Sequence, residues 1–81
     1  MNCLIIDDHP LICIAIKSLA ESSPHIAQVS VASELKTANE LIRKSSIDLL
    51  ILDVNLNDSD GFDFYRRIKA HGFKGRVVFY S

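Results

Sequence analysis

The sequence predicts an α/β domain, a parallel sheet with helices on both faces. Three observations point there. Short apolar runs alternate with amphipathic segments of helical period along the whole chain; the runs Cys3 to Ile6 and Leu49 to Leu52 are unbroken in hydrophobicity; and each of these two ends in aspartate. An unbroken apolar run suits a strand covered on both faces, because neither face meets water. Strands separated by helical crossovers of this length pair in parallel with right-handed connections.

The first strand, Cys3 to Ile6, is followed by Asp7-Asp8. Pro10 fits the opening turn of a helix, where its missing N–H is not needed. That helix carries Leu11, Ile12, Ile14, Ala15, Ile16, Leu19 and Ala20, an unusually wide apolar arc, and Ser22-Ser23-Pro24 stops it. Ala27, Val29 and Val31 then alternate with Gln28 and Ser30, the period of a strand with one wetter face at a sheet edge. Ser33 is placed to cap the next helix. There Leu35, Ala38 and Ile42 recur at helical spacing, Glu40 precedes Lys44 by one turn, and Arg43 and Lys44 suit the C-terminal dipole end.

Leu49 to Leu52 reads as a central strand, and Asp53 to Asp60 as a polar loop with Asn55, Asn57, Asp58 and Ser59. Gly61 opens a third helix whose apolar side is Phe62, Tyr65 and Ile68; His71-Gly72 and Lys74-Gly75 turn the chain back. Val77 to Tyr80 is a fourth strand, followed by Ser81. With no linker or repeat, residues 1–81 form one domain around one core.

Composition excludes several classes. Apolar residues at 48% against 23% charged argue for a packed core and against disorder. Nine basic and ten acidic side chains leave no stripe to neutralise phosphates, so this segment is not expected to contact nucleic acid. Apolar runs fall well short of the roughly 18 residues of a membrane span, and no leader pattern opens the chain, so a cytoplasmic location is expected. Cys3 and Cys13 form no CxxC pair and read as reduced, buried thiols, although Cys13, with Ile14, also falls on the side of its helix usually turned outward. His9, His25 and His71 are scattered singly and read as turn residues.

In parallel sheets ligands bind beyond the carboxyl ends of the strands, where Asp7, Asp8, Asp53 and Ser81 all fall. Carboxylates about 4 Å apart repel by roughly 1 kcal/mol even in water, so a gathered trio calls for a cation. A hard ion such as Mg²⁺ takes carboxylates, a backbone carbonyl and water. Asp53 could then attack a phosphoryl donor in line to form an acyl phosphate, with the Ser81 hydroxyl bonding a phosphoryl oxygen. Taken one at a time the same residues have plainer uses: a strand-end aspartate caps a helix, Asn55 makes an Asx turn, and Ser81 is a loop serine.

The segments LIIDDHP, LLILDVNL, SDGF and VVFYS, in that order, resemble the receiver domain of bacterial two-component response regulators, and the DDHP form resembles regulators of the LuxR/NarL type. The resemblance runs from Met1 to Ser81, about the first two-thirds of such a domain. It implies a flavodoxin-like doubly wound sheet in the order 2-1-3-4, with the family's fifth strand and last two helices missing. It also implies that Asp53 is the phosphoacceptor, that Asp8 binds Mg²⁺ directly and Asp7 through water, that Asn55 gives a backbone carbonyl to the metal, and that Ser81 is the switch hydroxyl. A sensor histidine kinase would be the donor and a DNA-binding output domain, absent here, the effector.

Two departures stand out: Asn57 replaces the usual proline, and the family's phosphate-pairing lysine belongs to the missing fifth strand. Lys69 and Lys74 fall towards the opposite rim and cannot replace it. Val78 and Tyr80 on an open sheet edge, and Cys13 and Ile14 on the first helix, are expected to form a homodimer contact. Two other functions compete. A haloacid-dehalogenase-like phosphatase needs a second aspartate where Asn55 stands. A non-signalling α/β interaction module needs none of this chemistry.

Overall fold

The computed structural model describes residues 1–56 and 60–80. In chain order the elements are β1 (Asn2–Ile6), α1 (Pro10–Glu21), β2 (Gln28–Ala32), α2 (Leu35–Lys44), β3 (Leu49–Asp53), α3 (Gly61–Ala70) and β4 (Arg76–Tyr80). The four strands form one parallel sheet in the order β2-β1-β3-β4. This is the α/β architecture and strand order expected.

Register explains why the two central strands are the unbroken apolar ones. Ile5 lies between Val31 and Ile51, and Ile6 between Ala32 and Leu52, so β1 has a strand on either side as well as a helical layer above and below. Leu4, Ile5 and Ile6 are fully buried. Leu4, Ile6, Ala32, Leu50 and Leu52 form one apolar face, packed with Ala38 of α2 and with Phe64 and Ile68 of α3. Alternation along the strand turns Cys3 and Ile5 to the opposite face, on which α1 lies against β1 and β2.

α1 settles the two readings of Cys13. Cys13 is buried, Ile16 is half-buried and Ala20 is buried, one row at helical spacing, while Leu11, Ile14 and Leu19 point away from the sheet. The outward placement of Cys13 is therefore corrected: the inward row is the one with the smaller side chains, which lets the helix lie close to the strands. The Cys13 thiol donates to the Asp7 carbonyl at 3.2 Å. Ile14 is exposed as expected. Among the described residues no helix is long and apolar enough to cross a membrane.

The start of α2 differs from the sequence reading, whereas α3 begins at Gly61 as expected. Ser33 lies one residue too early to cap α2; the cap position falls on extended Glu34, whose side chain makes no capping bond. α3 is capped by Asp60, whose Oδ1 accepts from the Phe62 N–H at 2.9 Å and the Asp63 N–H at 3.4 Å. Gly61 has a packing role. A Cβ placed there would stand 3.0 Å from both the Asp53 carbonyl oxygen and the Val54 Cα, so only glycine lets α3 start this close to the end of β3.

The edge strand β4 is held by aromatic contacts. Phe79 packs against Phe62 at 4.8 Å between ring centroids and meets Tyr65 edge-on at 5.4 Å. Val78, half exposed, keeps the outward placement expected of it, and Tyr80 is half-buried with its hydroxyl turned inward to Asp7. For Gly61→Ala we expect a loss of roughly 1–3 kcal/mol from overpacking, beyond any gain from a stiffer unfolded chain. Urea denaturation measures it, and an unchanged midpoint would show that α3 can back away freely.

Candidate functional site

The carboxyl-end rim follows from register. Ile6 pairs with Leu52, so Asp7 comes next to Asp53, and Asp53 pairs directly with Tyr80. Alternation puts all three side chains on the same side of the sheet. The rim is tied down by backbone bonds beyond the strands: Asp7 N–H to the Ala32 carbonyl at 3.1 Å and Val54 N–H to the Tyr80 carbonyl at 2.9 Å.

Asp7 and Asp53 are buried, at 1% and 3% exposure, and Asp8 is partly so. Buried carboxylates require compensation. Asp7 Oδ1 accepts from the His9 N–H at 2.8 Å and sits 2.7 Å from His9 Nδ1, while Oδ2 accepts from the Tyr80 hydroxyl. Asp53 Oδ1 accepts from the Asn55 N–H at 2.9 Å, an Asx turn at this bend; the Asx turn read at Asn55 itself would close on a residue outside the described ones. His9 Nδ1 lies 3.0 Å from Asp8 Oδ1 and 3.7 Å from Asp53 Oδ2.

The charges follow these contacts. Burial raises the Asp7 carboxyl, but hydrogen bonds from Tyr80 and from the ring and backbone of His9, with the His9 charge, outweigh it and leave its pKa below the ordinary value. The His9 pKa is raised, first by its hydrogen bond to Asp7 and then by the Asp8 charge, against a smaller effect of desolvation, with Asp7 and Asp53 adding to the rise. Burial, the Asp7 hydrogen bond and the nearby carboxylates push the Tyr80 phenol far up, so it stays a donor. Burial raises Cys13, with Asp7 and Asp8 adding, and burial raises Cys3; both remain thiols.

The structure thus gathers Asp7, Asp8 and Asp53 as expected, with Asn55 against Asp53. Ser81 lies outside the described residues. His9, read from sequence as a turn residue, belongs to the cluster: one ligand atom each from Asp7, Asp8, His9 and Asp53 lies within 4.8 Å of the others. Tyr80 is the second residue that sequence reasoning missed. Lys74 lines a groove of about 1130 Å³ on the opposite rim, together with Asp48 and Arg76 and none of the strand-end carboxylates. Three carboxylates converging beside a backbone bend form an oxygen-rich donor set that fits a hard divalent cation.

Residues 3–81 match the response regulator receiver domain family. The chain belongs to that family. This receiver domain is 35% identical to the Fimbriae Z protein of Salmonella typhimurium over 78 residues, which cover 96% of the chain and 37% of that protein. It is 32% identical to the nitrate/nitrite response regulator protein NarL of Escherichia coli, over 96% of the chain and 36% of that protein. The receiver thus spans about a third of the length of these curated relatives.

In fold it is similar to the MaeR response regulator solved with beryllium trifluoride, with a TM-score of 0.92 at 24% identity over 99% of this chain and 66% of that one. Regulators of the LuxR/NarL type are among the relatives. Receiver domains of this family act as phosphoacceptor switches and generally bind Mg²⁺ in an acidic pocket.

Removing the Tyr80 hydroxyl strips one donor from a buried carboxylate. We expect Tyr80→Phe to lose roughly 1–3 kcal/mol at neutral pH. Because the folded Asp7 pKa is lowered, its stabilisation is present above the ordinary carboxylate pKa of about 4 and is lost as pH falls through the folded value. The difference between wild type and Tyr80→Phe in urea should therefore shrink in acid. A difference independent of pH would mean that Tyr80 acts through packing alone.

Proposed function

We propose that this receiver takes a phosphoryl group from a sensor histidine kinase onto Asp53, and that its parent protein uses the modification to control transcription from the cytoplasm. The observation that carries this reading is the placement of Asp53 at a strand end, buried among Asp7, Asp8 and His9, with one oxygen held and the other facing the cluster. The Asn55 N–H fixes Oδ1, leaving Oδ2 as the attacking atom. In the transfer the phosphohistidine P–N bond breaks as the Oδ2–P bond forms, and the donor imidazole leaves with the electron pair.

Asp8, Asp53 and the Asn55 backbone carbonyl would hold Mg²⁺. Asp7 already spends one oxygen on His9 and the other on Tyr80, which favours contact through a water. An ion held by these groups would supply positive charge against the negative charge developing on the equatorial phosphoryl oxygens. Ser81, next in sequence to Tyr80, is assigned the hydroxyl that bonds the new phosphoryl group. A phosphatase reading needs an acid/base two residues after Asp53; Asn55 stands there, with its backbone N–H bonded to the nucleophile.

Incubation with a small phosphodonor and Mg²⁺ should add one phosphoryl group by intact mass, and Asp53→Asn should abolish the addition. Uptake unaffected by Asp53→Asn would overturn the assignment, and steady phosphate release would favour the hydrolase.

We also assign homodimer formation to the outward surface of α1, supported by Leu11 at 80% and Ile14 at 65% exposure, three residues apart and so on one side of the helix. Sedimentation equilibrium should show self-association that Ile14→Lys weakens by about tenfold, a cost of about 1.4 kcal/mol. Association unchanged by this variant would remove α1 from the contact.

A further inference from the structure

We propose that the groove on the rim opposite the carboxylates docks a peptide segment of a partner protein, one that carries both acidic and aliphatic side chains. The site is independent of the phosphoacceptor reading above. Its basis is the distribution of charge. Six of the chain's nine lysines and arginines, Lys36, Arg43, Lys44, Arg67, Lys74 and Arg76, line this groove against one carboxylate, that of Asp48. All six are exposed. Asp48 Oδ2 already accepts the Asn2 N–H at 2.8 Å, and among the described residues only Arg67 of the six is in an ion pair, with Asp63 at 3.2 Å.

Helix ends account for part of this charge. Arg43 and Lys44 in the last turn of α2, and Arg67 in that of α3, suit the negative end of a helix dipole. Lys36 lies in the first turn of α2, where a cation is disfavoured, and Lys74 and Arg76 belong to no helix. A surplus of like charge that the fold does not require is complementary to an anionic ligand.

The floor sets the class of that ligand. Leu35, Ile42, Ile47 and Phe73 lie between the charges, half-buried and packed on the core. Three of the four are aliphatic, which suits the apolar side chains of a peptide better than stacked bases. The volume, about 1130 Å³, exceeds the roughly 300–1,000 Å³ of small-molecule pockets and fits a stretch of chain. The walls are firm. The Arg76 N–H donates to the Asp48 carbonyl at 2.9 Å, and a Cβ at Gly75 would stand 2.9 Å from the carbonyl oxygens of Ile47 and Asp48, so the loops leading into β3 and β4 are pressed together. A groove already formed spares a ligand the cost of ordering it.

Fluorescence anisotropy of the whole chain with a short labelled peptide of alternating glutamate and leucine tests the site. Comparison probes are a glutamine-for-glutamate peptide, a serine-for-leucine peptide and a single-stranded DNA oligonucleotide. We expect Arg43→Gln with Lys74→Gln to weaken the parent peptide by at least about tenfold, and Lys17→Gln with Arg66→Gln, the same change of net charge away from the groove, by less than about twofold. Both altered peptides should bind at least about tenfold more weakly than the parent. Amide NMR shifts on binding should fall at Ser46, Gly72 and Gly75, and the spectra of the free variants show that they fold.

No binding by wild type would overturn the proposal, as would equal losses in the two double variants, which would reduce the effect to diffuse charge. Undiminished binding of the serine-for-leucine peptide would overturn it too, since charge alone does not call for a peptide. Tighter binding of the oligonucleotide than of the parent peptide would reassign the groove to nucleic acid.

Discussion

The constraint on which the structure turns is the gathering of like charges at the carboxyl end of a parallel sheet. Parallel register brings the ends of β1 and β3 side by side, and both end in aspartate. Two buried carboxylates beside a third repel one another strongly where water is excluded. The fold answers with donors taken from several elements: the His9 backbone and ring at the start of α1, the Asn55 N–H after β3, and the Tyr80 hydroxyl from β4. Each of these elements is held elsewhere by apolar packing, so the core supplies the rigidity and the rim uses it.

That division of labour is visible in the sheet. On one face Leu4, Ile6, Leu50 and Leu52 meet α2 and α3 in a continuous core. The alternate residues of the same strands lead, at their last positions, to Asp7 and Asp53. Gly61 joins the two regions, because its lack of a side chain lets α3 begin against the backbone of Asp53 itself. The site is thus braced by helix packing on the far side of the sheet as well as by its own hydrogen bonds.

The sequence made the architecture and the acidic trio legible because both depend on strong local patterns: unbroken apolar runs, and aspartates at their ends. The misses were of another kind. Cys13 was ambiguous because α1 is apolar nearly all round, so its inward row depends on how closely the helix can approach the sheet. His9 reads as an isolated histidine when taken alone, although the aspartates before it and the proline after it hold its backbone extended at the rim. Tyr80 does lie on the edge strand, as expected, but its hydroxyl faces the acidic residues. Alternation from Asp53, its register partner, would have put it on the side of the acidic residues. Ser33 failed as a cap by one residue, a boundary that sequence patterns resolve poorly.

Tyr80 also joins strands that are not neighbours. Its hydroxyl crosses in front of β3 to reach Asp7 at the end of β1, so the outermost strand is anchored to the central one by a side chain as well as by the ladder between them. An edge strand ordinarily frays at little cost, since it has a partner on one side only. Here the end of β4 cannot peel away without uncovering a charge in the interior of the sheet, and the fraying of the edge is thereby linked to the protonation of Asp7.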